Sequence, residues 1–194
     1  MPDFRRYPNE GFPYLVTTNV KDRQPLFAEH SCCQIVIDGT RFLRTCLGHR
    51  VHAYVLMPDH VHLVVTPRES SNISQIMHSL KLRTAREIGI LLGSKGGIWQ
   101  ARFYERALRT PKDAEEAILY VHDNPMKAGL ADRPEDYDWS SYRACISGEP
   151  IPIDLDPLVW QALGRLGNLP YTCLRMLTIT ASRNVIISLN RQRE

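Results

Sequence analysis

The sequence predicts an α+β fold, a ferredoxin-like antiparallel sheet with helices packed on one face, followed by a C-terminal extension. Three observations lead there. The apolar periodicities run strand, helix, two strands, helix, strand, helix, an order that permits a single antiparallel sheet layered with helices. The two middle strands are joined by Met57-Pro58-Asp59, which has hairpin length and turn chemistry. Capping residues and glycines stand at the ends of the helical stretches, so local and global signals agree. The domain is expected over residues 11–145, with residues 150–194 as the extension beyond a linker marked by Pro150 and Pro152.

The first strand is residues 14–18, a β-branched and aromatic run between Pro13 and Asn19. Residues 31–47 have helical spacing, with Ser31 as the expected N-cap, Gly48 as the stop and Gly39 as an unfavourable residue in the middle. Residues 52–56 and 60–66 are the hairpin strands. Ser71-Asn72 caps a second helix whose core stripe is Ile73, Ile76, Met77 and Leu80 and which stops before Gly93. Residues 98–104 read as a fourth strand with an irregular continuation to Arg109, Trp99 and Phe103 filling the core and Tyr104 left to stack on a base. The third helix starts at Thr110, with Pro111 at its first position and Asp113 in a capping-box-like place, and is expected to end at Asn124-Pro125. Residues 139–143 should pack back on the sheet, 155–169 carry a short helical pattern, and 179–189 suit helix or strand.

Across the 194 residues, 43% are hydrophobic and 23% charged, ordinary globular values. No apolar run reaches membrane-spanning length and MPDFRRYPNEGF has no signal-peptide core, so a cytoplasmic protein without a membrane partner is expected. Five cysteines, an odd number without CxxC spacing, argue against a disulfide framework. His30, Cys32, Cys33, Cys46 and His49 form a zinc-like set on paper, but Cys32, Val36, Leu43, Cys46 and Leu47 share a helical stripe and read as core. The net charge of +3 is unevenly spread: residues 81–112 hold eight basic and two acidic residues. This block, with Lys81, Arg83, Arg86, Arg102, Tyr104, Arg106 and Arg109 as the proposed nucleic-acid contacts, suits a phosphodiester substrate.

His60 and His62 stand two apart in a strand and so face one side. Neutral imidazole is a common ligand for catalytic metals. Tyr120 and Asn124 project from one face of the third helix, one turn apart. Histidines, tyrosine, amide and basic surface together match a metal-dependent phosphoryl-transfer site. A hydrolytic phosphodiesterase would need the histidines but not the tyrosine, and a sheet-based binding module would need neither.

Three blocks, YVLMPDHVHLVV, WQARFYERALR and YVHDNPMKAGL continuing to DYDWSSYR, make the chain resemble the REP-associated tyrosine transposases, within the insertion-sequence-200-like single-tyrosine HUH transposases. The blocks stand in that family's order. The resemblance implies that His60 and His62 are metal ligands, Tyr120 the nucleophile and Asn124 the third ligand, where the wider group often has glutamine; Glu116, Asp123 and Asp59 are the acidic alternatives. It implies Mg²⁺ or Mn²⁺, a single-stranded or hairpin DNA substrate, a covalent 5′-phosphotyrosine and, for the branch with such a tail, a monomer. An ordinary phenol is only about one part in a thousand ionised at neutral pH, a deficit of about 4 kcal/mol for a phenolate nucleophile, so the site must assist it.

Overall fold

The run Tyr-Leu-Val-Thr-Thr-Asn alternates its side chains between two apolar layers, and it forms β1 (Tyr14–Asn19) near the middle of the sheet. The computed structural model describes residues 11–94, 97–147 and 152–158. Along the chain follow α1 (His30–Thr45), β2 (Arg50–Met57), β3 (His60–Thr66), α2 (Ile73–Leu91), β4 (Tyr104–Ala107), α3 (Pro111–Lys127) and α4 (Tyr142–Ser147). The strands pair in the order β2-β3-β1-β4, every neighbour antiparallel, which is the ferredoxin-like arrangement.

Strand alternation sorts the core into two layers. Val16, Leu56, Leu63 and Val65 point to the face covered by α1 and α2, where Val36, Leu43, Ile76 and Leu80 meet them. Leu15, Val55 and Val64 point to the other face, where α3 covers them with Ala114, Ala117 and Val121. The face kept for a ligand is thus partly roofed by α3. Gly39 marks the crossing of α1 and α2: a Cβ there would stand 2.7 Å from Thr84 Cγ2 and 3.1 Å from Leu80 Cδ1. The glycine that weakens the helix on propensity is what lets the two helices touch.

Several boundaries differ from the sequence reading. The N-cap of α1 is Glu29, whose carboxylate accepts from the Ser31 N–H, so Ser31 lies inside the helix. Since α1 ends at Thr45, Cys46 is exposed rather than core, whereas Cys32 and Cys33 are fully buried. The fourth strand is residues 104–107; residues 98–103 make only a bridge from Trp99 to Val20. The carbonyls of Gln100 and Arg102 accept from Lys81 Nζ at 2.8 and 3.1 Å instead of joining a ladder. Pro125 does not end α3, which runs on to Lys127 and closes where Gly129 takes φ +68°. At that point only the last turn forgoes the proline's missing N–H.

Of the predicted 155–169 pattern, residues 155–158 carry neither helix nor strand, and the remainder, like 179–189, lies outside the described residues. Residues 152–158 are docked through Asp156. Asp156 pairs with Arg44 at 2.9 Å and exchanges hydrogen bonds with the Val51 backbone, while Leu56 N–H donates to the Trp139 carbonyl at 2.9 Å. Together these segments cover the outer edge of β2, which would otherwise offer unpaired backbone groups.

Two histidines hold this periphery. Beside the bulge between Val51 and Ala53, His52 joins Thr66 Oγ1 and the Asp156 carbonyl, each at 2.8 Å; His122 of α3 joins Ser141 Oγ at 2.9 Å. Burial pushes both imidazoles down to about 4. In the unfolded chain they titrate near 6.5, so between pH 6.5 and 4 the unfolded state binds more protons. Their contribution is complete above pH 6.5 and is lost as pH falls towards 4, about 3 kcal/mol for each at full effect. Urea midpoints measured across that range should fall with acidification, and His122→Gln should flatten the slope.

Candidate active site

The two-residue turn Pro58-Asp59 starts β3 at His60, and alternation puts His60, His62 and Val64 on the α3 face. Their Nε2 atoms converge to 3.1 Å. Each ring is held from behind: His60 Nδ1 lies 2.5 Å from Asp59 Oδ1, and His62 Nδ1 lies 2.7 Å from Thr17 Oγ1, the residue opposite it in the β1–β3 register. The Asp59 carboxylate accepts from His60 Nδ1, which leaves Nε2 as the ring atom turned to His62. Burial, then the neighbouring His60 and Arg23, push His62 down to about 3, opposed by its hydrogen bond with the Asn124 side chain. It is neutral at physiological pH and can offer a nitrogen lone pair.

α3 brings the tyrosine. Its capping box, Thr110 with Asp113, and Pro111 at the first position set where it starts. The buried stripe of Ala114, Ala117 and Val121 then sets its rotation on the sheet. Tyr120 falls on the margin, 41% exposed, with its ring centroid 5.2 Å from that of His62 in an edge-on contact. Lys127 Nζ lies 5.5 Å from the same ring. Asn124 Nδ2 donates to the Tyr120 carbonyl at 2.5 Å, and the amide oxygen is the atom of this side chain that has ligating lone pairs.

A divalent metal fits the donors present here. Two ligands at about 2.1 Å on adjacent corners of an octahedron stand roughly 3 Å apart, close to the observed Nε2 separation. Among the described residues there is no group of three or more His, Cys, Asp or Glu that could hold an ion. Asn124, whose side chain hydrogen-bonds His62, places an amide beside the pair. Asp59 faces the back of His60 and bonds Arg23 through its other oxygen at 2.9 Å, and Asp123 pairs with Lys127 at 3.5 Å. Glu116 instead lines a cleft of about 320 Å³ beside Tyr120, with Leu15, Thr17, Tyr104, Arg106 and Ala117.

The basic block is divided by the sheet. Tyr104, 58% exposed, and Arg106 project from β4 on the tyrosine side, Arg106 lying 3.8 Å from Asp113; Arg102 and Arg109 are exposed at the two ends of this strand. Lys81, Arg83 and Arg86 belong to α2, on the opposite layer. Lys81 is committed to backbone carbonyls, and Arg83 pairs with Glu87 at 3.2 Å and lies over Phe42 at 4.6 Å. Of the block expected beside the histidines, Tyr104 and Arg106 share a cleft with Tyr120, whereas the α2 half lies on the other layer of the sheet. Trp99 and Phe103 serve the core as read, Trp99 donating to Thr84 Oγ1 at 2.9 Å. The zinc-like set is not assembled: Cys33 Sγ donates to the Phe27 carbonyl, and His30 stacks edge-on against Trp139. Sequence reasoning missed Thr17 and Arg23 altogether. Thr17 becomes visible only once the strand register places it opposite His62.

Residues 11–124 match the family model described as "Transposase IS200 like". The chain is 27% identical over 157 residues to the REP-associated tyrosine transposase of Escherichia coli strain K12, a match covering 79% of this chain and 90% of that one. It is 25% identical over 166 residues to a putative REP-associated tyrosine transposase of Haemophilus influenzae, covering 79% and 93%. A solved structure of a REP-associated tyrosine transposase bound to a REP hairpin superposes with a TM-score of 0.63 at 25% identity, over 87% of this chain and all of that one. With the family model spanning more than half of the sequence, and with fold and relatives in agreement, this chain belongs to the IS200-like transposase family and is similar within it to the REP-associated tyrosine transposases.

Proposed function

We propose that this transposase cuts and rejoins single-stranded DNA next to a hairpin, with Tyr120 as the nucleophile. A divalent ion, Mg²⁺ or Mn²⁺, would be held by His60, His62 and Asn124. The observation that carries the reading is the convergence of the two Nε2 atoms, the Tyr120 ring and the Asn124 amide on one open face. When bound, the ion supplies charge stabilisation at the scissile phosphate. Imidazole donors suit a transition metal better than Mg²⁺, which prefers oxygen, so Mn²⁺ should bind the tighter of the two.

Tyr120 Oη attacks phosphorus and gives up its proton; the bond to the 3′ oxygen breaks, and that oxygen leaves as a hydroxyl with a proton. The 5′-phosphate stays on the tyrosine. Because one phosphodiester replaces another, a 3′-hydroxyl can later reverse the step without ATP. Edge-on contact with His62 limits the tyrosine ring's movement, and α3 roofs part of the sheet so that the strand enters from the β4 side. A hairpin partner is supported by the similar transposase solved with a REP hairpin. A monomer is supported by the covered β2 edge and by a tyrosine that meets His62 of its own chain.

Incubating labelled single-stranded hairpins from the genomic flanks with the protein, in Mn²⁺ or in EDTA, tests the reading on a denaturing gel. A covalent protein–DNA band in Mn²⁺ alone supports it; free products without the band favour hydrolysis, and binding without cleavage favours a binding module.

The charge distribution adds an expectation. If about five phosphates are engaged, log K against log salt should have a slope near −3 to −4 for a single strand. Replacing Arg102 or Arg106 by glutamine should make the slope shallower by about 0.7 for each phosphate no longer neutralised. Arg83→Gln should leave it unchanged, because that guanidinium faces away from the tyrosine. Fluorescence anisotropy titrations across salt concentrations would check both.

A further inference from the structure

We propose that Arg23 is a positioning residue for the metal centre, clamping Asp59 so that His60 presents its Nε2 towards that of His62. The proposal rests on the reading of both histidines as ligands. Asp22 and Arg23 take φ of +55° and +54°, two consecutive non-glycine residues in the left-handed region. Such backbone persists only where its surroundings over-determine it. Here the segment wraps the turn that starts β3: Val20 N–H donates to the Asp59 carbonyl, and Phe27 N–H to the Pro58 carbonyl, each at 2.8 Å.

The strained turn delivers a guanidinium fixed at two points. Nε lies 2.9 Å from Asp59 Oδ2, and Nη1 donates to Asn19 Oδ1 at 2.6 Å. Asn19 stands opposite His60 in the β1–β3 register, so one arginine ties together the two strands that carry the site. Asp59 turns its other oxygen to His60 Nδ1 at 2.5 Å. A carboxylate behind a ligating histidine sets its tautomer and ring orientation. With Oδ2 occupied by Arg23, the carboxylate is kept from rotating away. A lysine, being a point charge, cannot reproduce both bonds.

The test is calorimetric titration of the full chain with Mn²⁺ and no DNA, for wild type, Arg23→Gly, Arg23→Lys, Asp59→Asn and His60→Ala. Arg23→Gly should lower Mn²⁺ affinity about tenfold, Asp59→Asn by tenfold or more, and a chain carrying both Arg23→Gly and Asp59→Asn no further than Asp59→Asn alone. Arg23→Lys should recover only part of the loss. Since glycine tolerates positive φ, the thermal midpoint of Arg23→Gly should hold or rise while metal affinity falls, a divergence that general damage would not produce. If Arg23→Gly misfolds, the partial loss in Arg23→Lys still decides.

Unchanged Mn²⁺ affinity in both Arg23 variants beside a weakened Asp59→Asn would overturn the role of Arg23. Hairpin binding of the same Arg23 variants, measured separately by anisotropy in EDTA, gives the other contrary result: lost DNA affinity with intact Mn²⁺ binding would assign the guanidinium to a phosphate and overturn the proposal. Wild type binding Mn²⁺ no better than His60→Ala would remove the metal-centre reading itself, a separate failure.

Discussion

Tyr120→Phe is expected to bind hairpin DNA within about threefold of wild type while its covalent product falls at least about a thousandfold, a loss of about 4 kcal/mol in transition-state stabilisation. The substitution removes only the hydroxyl. The ring keeps its edge-on contact with His62 and its place beneath Lys127, and at 41% exposure it contributes little to the core. Single-strand affinity comes largely from basic side chains on phosphates, and the substitution leaves every basic side chain in place. Parallel anisotropy and gel assays on the folded variant would measure both quantities, and cleavage at the wild-type rate would exclude this tyrosine as nucleophile.

His60→Ala should lose Mn²⁺ affinity by more than about a hundredfold, beyond what loss of a supporting carboxylate costs, and should lose cleavage with it. His60 is the better choice than His62, which is 2% exposed and whose removal would also open a cavity beside Thr17. Calorimetry with Mn²⁺ separates loss of metal from loss of chemistry, since Tyr120→Phe should bind the ion normally. Because the tyrosine meets His62 of its own chain, mixing His60→Ala with Tyr120→Phe should not restore cleavage. Recovery in the mixture would mean that active sites are shared between subunits.

How much of this was legible in the sequence depended on whether the signal was local. The HVH spacing in a β-branched run put both imidazoles on one face, and the Thr110 capping box with Pro111 marked the start of the tyrosine helix; both are short-range effects. Gly39 looked like a defect because its reason is a neighbour on another helix, Thr84. Residues 98–104 have strand-like composition, but Trp99 is drawn into the core beside Phe27 and Lys81 takes the following carbonyls, so the ladder begins only at Tyr104. The basic block was continuous in sequence and is split in space, since α2 packs on one face of the sheet while the β4 side chains Tyr104 and Arg106 turn to the other. The supports behind the histidines were hidden for the same reason. Thr17 needs the register of β1, and Arg23 needs a left-handed turn that no glycine announces.

Whether Tyr120 itself forms the bond to DNA is decided by mapping the adduct. A labelled hairpin trapped in Mn²⁺ is digested with protease, and the modified peptide is sequenced by mass spectrometry. A 5′-phosphodeoxynucleotide is expected on the peptide that contains Tyr120, absent in EDTA. The same mass shift on the peptide of Tyr104 or Tyr142, or cleaved DNA with no modified peptide, would contradict it.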